Sequence, residues 1–364
     1  MEIGASSIQV VRILYISFIM FVFLPPIAGF ISDVFGYKRT MVSTAVLESV
    51  FMFMYAFVRS YVELFAVRIF QEAMIIVLLI AGLSYVELFA VRIFQALIGA
   101  ILSASFLHFA STYAKRAGVY IGLLRFSQAL GMALGSLVVF LFPVKQVRVF
   151  ILIASILCLM PVSAAMLNEY SEPRKHINLR NVLQCVISGD LVFYYACALA
   201  NTLTVSILFS YIVVYMIESF DLDLSIYALI IFMTTMTFGI SSVVAGKISD
   251  KYPRESGFVG TIGIMISIIL IVTSNNIIYI VFGLILFEGL SAFAYNPLYV
   301  VLSKRLPDEV RGTGINVADT LLNISFIALP ILEIVAKRCG YVMLLFIPLL
   351  VCIFALATIS IVEN

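Results

Sequence analysis

Long apolar segments follow one another along almost the whole chain, and they constrain its fold more than any other sequence feature. A transmembrane helix needs about 20 apolar residues. Runs of roughly that length lie near 8–31, 41–58, 61–83, 85–110, 119–142, 147–167, 191–216, 225–247, 257–274, 277–302, 312–335 and 340–361. The chain is 63% hydrophobic and 12% charged, whereas soluble domains average about 45–50% and 25%. These values exclude a water-soluble fold and predict an all-α polytopic membrane protein.

The polar stretch at 168–180 separates the apolar runs into two groups. Thirteen basic residues fall on one set of alternate loops and six on the other, and an excess of lysine and arginine marks cytoplasmic loops. We therefore predict an N-terminal helical bundle over 1–167, a cytoplasmic linker over 168–180 and a C-terminal six-helix bundle over 181–364. The C-terminus is expected in the cytoplasm.

Two of the loops predicted to be cytoplasmic carry the same pattern, in which a glycine is followed four residues later by an aspartate and then by basic residues. These residues are Gly29, Asp33, Lys38 and Arg39 in the first loop, which also contains Gly36, and Gly246, Asp250, Lys251 and Arg254 in the second. A second pair of similar segments, at 115–122 and 309–316, follows in each half. Such recurrence indicates two halves related by duplication.

These motifs resemble those of the major facilitator superfamily of secondary transporters. The glycine-to-aspartate loop, its second copy and the start of a helix at Arg311-Gly312 are marks of that family, and Arg92-x-x-Gln95 resembles its fourth-helix motif. The sequence departs from the family pattern at Val34, Tyr37, Ala96 and Pro253. Helices are numbered below by the family scheme.

The resemblance implies a two-bundle fold and a secondary active transporter, or permease, that moves a small solute across the plasma membrane by alternating access. It also implies that transport is coupled to protons and that the protein is a monomer in the lipid bilayer. Efflux of drug-like or organic solutes is one interpretation of its direction and substrate. The alternative is a non-transporting membrane sensor or scaffold, or an inactive truncated permease.

The two copies of the loop motif allow the lengths of the two halves to be compared. Only 28 residues precede Gly29, whereas 65 separate 181 from Gly246, so we expect the first family helix to be absent. The sequence SYVELFAVRIFQ occurs identically at 60–71 and 84–95, and we interpret 60–83 as an insertion that arose by recent duplication or by an error of sequence assembly. We expect 61–83 to lie on the outer side of the membrane without crossing it. The alternative is that it forms a genuine extra transmembrane helix. The fold then has about 11 regular transmembrane helices plus one inserted apolar segment.

Glu288 is the leading candidate for a functional residue. It lies eleven residues into the run that starts at Ile277, roughly 16 Å deep at 1.5 Å per residue. Ionisable groups at such depth are costly and mark functional sites. Tyr295 follows on the same helical face, and the resemblance implies that this tenth helix lines the central cavity. Glu288 is expected to bind a cationic substrate or to carry a proton, and an interhelical hydrogen bond is the alternative.

Arg92 is the second candidate, in the fourth helix. It lies on a polar stripe with Gln95, and by resemblance it faces the cavity, where it could attract an anionic group. A structural pair with Glu48 is the alternative.

Further candidates lie on polar stripes in the seventh and eleventh helices. These are Tyr194 and Asn201 in the seventh, and Asn316, Asp319 and Asn323 in the eleventh. Polar contacts between helices are the alternative for both stripes. In the fifth helix, Gly131 and Gly135 have the Gly-x-x-x-Gly spacing that allows close helix approach.

The repeated loops are predicted to form a gate, with Gly29, Asp33, Gly36, Lys38, Arg39, Gly246 and Asp250 as its residues. Asp33 would face the positive N-terminal end of the eleventh helix near Gly312. Such contacts would hold the two halves together on the cytoplasmic side. Ordinary anchoring of loop charges in the headgroup region is the alternative.

The sequence gives no support for a metal site, a cofactor, nucleic-acid binding or catalysis. The five cysteines lack a CxxC spacing and there are two histidines, so we expect no metal site and no cofactor. A net charge of +2 gives no reason to expect a nucleic-acid partner. No catalytic constellation is apparent, so the chain is not expected to be an enzyme. The expected partners are a small solute, protons and the bilayer.

Overall fold

A computed structural model describes residues 116–141, 179–220, 222–307 and 310–358, together with the isolated positions 42, 43, 46 and 49. Over these residues the secondary structure is helical throughout, which confirms the all-α prediction. The α-helices are α1 (Ala117–Leu141), α2 (Leu179–Val186), α3 (Val192–Ile207), α4 (Val213–Phe220), α5 (Leu224–Lys251), α6 (Pro253–Thr273), α7 (Ile277–Arg305), α8 (Arg311–Asn323), α9 (Leu329–Cys339) and α10 (Phe346–Ala357). The predicted insertion at 60–83 lies outside the described residues, as do Arg92 and the first gating loop.

Six helical segments in the described part of the chain are long and apolar enough to cross a membrane. They are Ala117–Leu137, Gly189–Ile212, Ser225–Lys251, Pro253–Thr273, Ile277–Arg305 and Arg311–Ala336. The shorter apolar helix Val342–Ala357 follows them. These lengths support a multi-pass membrane protein, because about 20 apolar residues suffice to span the hydrocarbon core.

Short connections keep α5, α6 and α7 next to one another. Tyr252 alone separates α5 from α6, and Pro253 occupies the first position of α6, where proline costs no backbone hydrogen bond. Asn276 caps α7 by accepting a hydrogen bond of 2.9 Å from the backbone N–H of Ile278, as asparagine commonly does at this position. The three helices pack together, with α7 contacting both α5 and α6.

Two of the predicted spans are not regular α-helices over their whole length. A π-helical segment, Leu208–Ile212, follows α3, and a 3₁₀ segment, Ile324–Ala328, follows α8. The Tyr211 hydroxyl in the first segment donates a hydrogen bond of 2.6 Å to the carbonyl of Leu329, directly after the second. This hydrogen bond joins the two irregular regions of the backbone.

Helices α1 and α5 approach each other at glycine. A Cβ added to Gly118 would collide with the carbonyl oxygen of Gly246, and one added to Gly246 would collide with the carbonyl oxygen of Gly118. The same holds for Gly122 against the carbonyl oxygen of Ser242. Only glycine lets two backbones pack this closely.

The sequence predicts close helix packing at another pair of glycines in α1, Gly131 and Gly135. A Cβ added to Gly131 or to Gly135 would meet no atom of the described residues within 4 Å. In the part of the chain that the structure describes, the close approach of α1 therefore depends on Gly118 and Gly122, which lie about three and a half turns nearer its N-terminus than the predicted pair.

Candidate functional site

The carboxylate of Asp319 is surrounded by donors from two helices. Tyr295 and Tyr299 lie one turn apart on α7, and both hydroxyls can donate to Oδ1 of Asp319 on α8, the Tyr295 bond measuring 3.0 Å. The side-chain amide of Asn323, one turn further along α8, donates to Oδ2 at 3.2 Å. Three of the residues predicted as substrate or proton ligands, Tyr295, Asp319 and Asn323, thus belong to one cluster.

The two tyrosines are also joined to each other. Their hydroxyl oxygens are 2.5 Å apart, and their ring centroids are separated by 4.8 Å. Tyr299 is fully buried. Since one hydroxyl carries one proton, Tyr299 donates either to Tyr295 or to Asp319 at any moment, and the cluster can rearrange its hydrogen bonds without moving a side chain.

Arg125 brings a positive charge to this cluster from α1. Its guanidinium donates a hydrogen bond of 3.2 Å to the Tyr295 hydroxyl and lies 5.0 Å from the centroid of the Tyr295 ring and 5.8 Å from that of Tyr299. Both distances are typical of a cation held over an aromatic face. Among the described residues, Arg125 and Asp319 are therefore linked through Tyr295 rather than paired directly.

The position of Arg125 follows from the packing of α1. Arg125 lies on the same helical face as Gly118 and Gly122, and that face packs against α5. The glycines bring α1 close to α5, and the long arginine side chain reaches from there to α7. Helix α1 belongs to the predicted N-terminal bundle and α7 and α8 to the predicted C-terminal one, so the cluster lies between them.

Glu288 lies elsewhere on α7 and does not join this cluster. It is 7% exposed and lines a cavity of about 30 Å³, which is large enough for a water molecule. The other lining residues are mostly apolar: Leu208, Ile212, Met216, Tyr227, Ile230, Ile231, Thr234 and Leu284. No described residue donates a hydrogen bond to its carboxyl group; Ser241 and Ser291 donate to its backbone carbonyl instead. The alternative interpretation, an interhelical hydrogen bond from the Glu288 carboxyl group, is thus not found within the described residues.

The remaining predicted ligands are placed apart from Asp319. Asn201 on α3 is buried, and its amide oxygen accepts no hydrogen bond from the described residues. Tyr194, two turns earlier on α3, packs its ring edge-on against Phe193 at 5.3 Å. Asn316 donates to the carbonyl of Gly312, one turn back in its own helix, at 2.7 Å. None of the three bonds to the Asp319 cluster in the described structure.

Asp250 was predicted to lie in a loop, but the structure places it in the last turn of α5, where it caps a helix from the other predicted half. Its carboxylate accepts hydrogen bonds from the backbone N–H groups of Gly118, at 2.8 Å, and Val119, at 3.2 Å, at the N-terminus of α1. A carboxylate in this position satisfies free amides and meets the positive end of the helix dipole. Lys304 donates to the backbone carbonyl of Asp250 at 2.8 Å. Gly246, four residues before Asp250, lies at the glycine contact of α1 and α5.

Arg125 and Tyr299 are absent from the residues predicted from the sequence. Arg125 lies six residues into the apolar run at 119–142, about 9 Å along it, and an ionisable residue inside an apolar run is a candidate by the same rule that selects Glu288. Tyr299 lies four residues after Tyr295, which places it on the same face of the helix. Both signals were available in the sequence.

Residues 2–330 match the family model of the Major Facilitator Superfamily. No curated protein sequence matches the chain significantly.

Solved structures with the same fold include two transporters. The proton:xylose symporter XylE, bound to 6-bromo-6-deoxy-D-glucose, has a TM-score of 0.72 at 13% identity, with 97% of this chain and 86% of that chain covered. The human organic anion transporter MFSD10 (TETRAN) has a TM-score of 0.67 at 14% identity, with 94% and 83% covered. At such identity these likenesses concern the fold, whereas the family match spans most of the chain. The chain therefore belongs to the major facilitator superfamily and is a multi-pass membrane transporter, not an enzyme.

Proposed function

We propose that this protein is a proton-coupled secondary transporter that moves a small organic solute across the plasma membrane by alternating access. The observation that carries the proposal is the hydrogen-bonded chain from Arg125 through Tyr295 to Asp319. Buried ionisable groups within a membrane are expensive and are retained at substrate and proton pathways. The substrate site of such transporters lies where the two bundles meet, near the middle of the membrane.

We propose the domain organisation predicted from the sequence, with bundles at 1–167 and 181–364 joined by 168–180. Because α1 belongs to one bundle and α7 and α8 to the other, rocking of the bundles would break the contact of Arg125 with Tyr295 and expose Asp319. Substrate binding and bundle movement then act on the same hydrogen bonds, and this coupling is what alternating access requires.

Two carboxylates are candidates for the proton. Asp319 is close to a positive charge, whereas Glu288 faces an apolar cavity large enough for water. An unpaired charge is costly in apolar surroundings, so we propose that Glu288 is held there as the neutral acid and releases its proton when the cavity opens to water. Tyr194, Asn201 and Arg92 remain proposed cavity residues.

The gate is formed on the cytoplasmic side by Asp250 at the N-terminus of α1. By the internal repeat, we propose that Asp33 plays the same part at the eleventh helix, with Gly29, Gly36, Lys38 and Arg39 in its loop. The C-terminus is then cytoplasmic. Caps formed by Asp250 and Asp33 stabilise the state that is closed toward the cytoplasm.

Reconstitution tests this function directly. Purified protein is placed in liposomes that contain a pH-sensitive dye, and a hexose, an organic anion and an organic cation are added in turn. We expect at least one solute to change the internal pH, and an imposed proton gradient to drive its accumulation. Well-folded protein that gives neither response with any solute class would contradict proton-coupled transport and favour a sensor or scaffold.

A further inference from the structure

The hydrogen-bonding capacity of Arg125 is only partly used. A guanidinium has five N–H donors. One is donated to the Tyr295 hydroxyl and one to the side-chain oxygen of Gln128, at 3.1 Å. The buried Nε has no hydrogen-bond partner among the described residues. A buried donor without a partner is costly, and an unfilled guanidinium edge is the ordinary binding surface for a carboxylate or sulfonate.

The partners of Arg125 are all uncharged. Tyr295 and Tyr299 offer their rings and a hydroxyl, and Gln128 offers an amide oxygen. Among the described residues, the negative charge in the cluster is that of Asp319, and its oxygens are already held by the two tyrosines and by Asn323. Among the described residues, Arg125 thus forms no direct ion pair, and the charge that balances it is that of Asp319, which it reaches through the Tyr295 hydroxyl.

One side of the Arg125 guanidinium lies toward the surface of the described structure. The hydrogen bond that it donates to Gln128 is exposed, whereas Nε and the Tyr299 side chain are buried. An anion can approach from the exposed side and bind to Arg125 while its organic part lies beside the tyrosine rings.

We propose that Arg125 binds a small monovalent organic anion, a carboxylate or sulfonate, and that a proton on Asp319 accompanies it. This inference rests on the proposed transport function and names its substrate class. Without substrate, the charges of Arg125 and Asp319 balance. Adding an anion leaves one uncompensated negative charge in a low-dielectric site, which is unfavourable. Transfer of one proton to the Asp319 carboxylate restores neutrality, so one proton and one anion bind together and cross in the same direction.

The surroundings of Asp319 fit this exchange. In the described structure, the groups that face it are Arg125 from α1, Tyr295 and Tyr299 from α7, and Asn323 from its own helix. The tyrosine hydroxyls can turn toward each other when the carboxylate becomes neutral, because their oxygens are 2.5 Å apart. The cluster can therefore hold either the ionised or the protonated form of Asp319.

The test measures binding of radiolabelled benzenesulfonate to the full-length protein in lipid nanodiscs between pH 5 and pH 8. This anion stays ionised throughout, so any pH dependence comes from the protein. Benzenesulfonamide and benzyltrimethylammonium serve as the neutral and cationic competitors. We expect benzenesulfonate to bind more tightly at low pH and neither competitor to displace it.

Three variants separate the roles of the two charges. Arg125→Gln should weaken binding roughly ten- to a hundredfold, while Arg305→Gln, which alters an arginine paired with Asp190 at the surface, should leave it unchanged. Asp319→Asn imitates the protonated acid, so it should bind benzenesulfonate at pH 8 about as tightly as the unaltered protein does at pH 5. Size-exclusion chromatography and circular dichroism check that each variant is folded.

The outcomes distinguish this inference from the function on which it rests. Proton-driven uptake of a neutral or cationic solute, with no benzenesulfonate binding, would overturn the anion site and leave the transporter intact. Binding that Asp319→Asn leaves as pH-dependent as before would overturn the proton exchange at Asp319. Absence of transport with every solute would instead contradict the proposed function.

Discussion

The carboxylate of Asp250, at the end of α5, accepts a hydrogen bond of 2.8 Å from the backbone N–H of Gly118, at the start of α1. The two residues come from different halves of the sequence, and their helices meet backbone to backbone at Gly118 and Gly246. An electrostatic cap and a close glycine contact thus act at the same place, where α1 begins.

Replacing Asp250 by asparagine should weaken this contact, because it removes the charge and one of the two oxygen acceptors. A charge at a helix terminus contributes about 0.3–1 kcal/mol, so we expect the closed state to lose roughly two- to fivefold in population and the initial uptake rate to change accordingly. Initial uptake and the amount of protein in the membrane are measured together. Asp223→Asn is the control, since Asp223 precedes α5 without capping it through its side chain. Equal uptake by the Asp250 variant and the unaltered protein would contradict a gating role.

Substituting alanine for Gly118 should destabilise the packing of α1 against α5. The added Cβ would collide with the carbonyl oxygen of Gly246, and forced overpacking costs about 1–3 kcal/mol. Gly135→Ala in the same helix is the matched control, because a Cβ there meets no described atom within 4 Å. Thermal unfolding in detergent should show a lower Tm for the Gly118 variant alone. A similar decrease for both variants would indicate that helix packing at Gly135 matters as well.

Hydropathy was sufficient to locate the long apolar helices that the structure describes. The run at 277–302 becomes Ile277–Arg305, and the run at 225–247 becomes Leu224–Lys251. Spanning length and apolar character are properties of a segment by itself, so they can be seen without knowing its neighbours. The irregular backbone at Leu208–Ile212 and Ile324–Ala328 had no such local signal.

The contacts within the site were harder to foresee. Tyr295, Asp319 and Asn323 were identified as polar residues within apolar helices, but their meeting depends on which faces of α7 and α8 pack together. The Gly-x-x-x-Gly spacing occurs at Gly118 and Gly122 as well as at Gly131 and Gly135. A spacing shows that a helix can be approached closely, whereas the helix that approaches it is determined by the tertiary fold.

Glu288→Gln should separate proton coupling from solute binding. Glutamine keeps the size of the side chain but cannot release a proton. One of the two proposed proton-carrying carboxylates is then lost, so we expect the accumulation driven by a given proton gradient to decrease while exchange of labelled for unlabelled solute continues. Both processes are measured in the same liposomes. Glu255→Gln, an exposed position in the first turn of α6, provides the control. Accumulation that responds to the proton gradient as before would exclude Glu288 as the proton carrier.

Removing the Tyr299 hydroxyl tests whether the hydrogen bonds at Asp319 are used in transport. Tyr299→Phe keeps the ring that faces Arg125 but deprives the carboxylate of one donor. Hydrogen bonds to charged groups contribute about 1.5–3 kcal/mol, so we expect transport efficiency, kcat/KM, to fall roughly ten- to a hundredfold. Tyr279→Phe is the matched control because Tyr279 is 56% exposed. If the Tyr299 variant transports at the unaltered rate over the whole pH range, the site lies elsewhere in the bundle. If instead its pH profile shifts while the protein remains folded, Asp319 takes part in coupling, since a purely structural hydroxyl would not affect that profile.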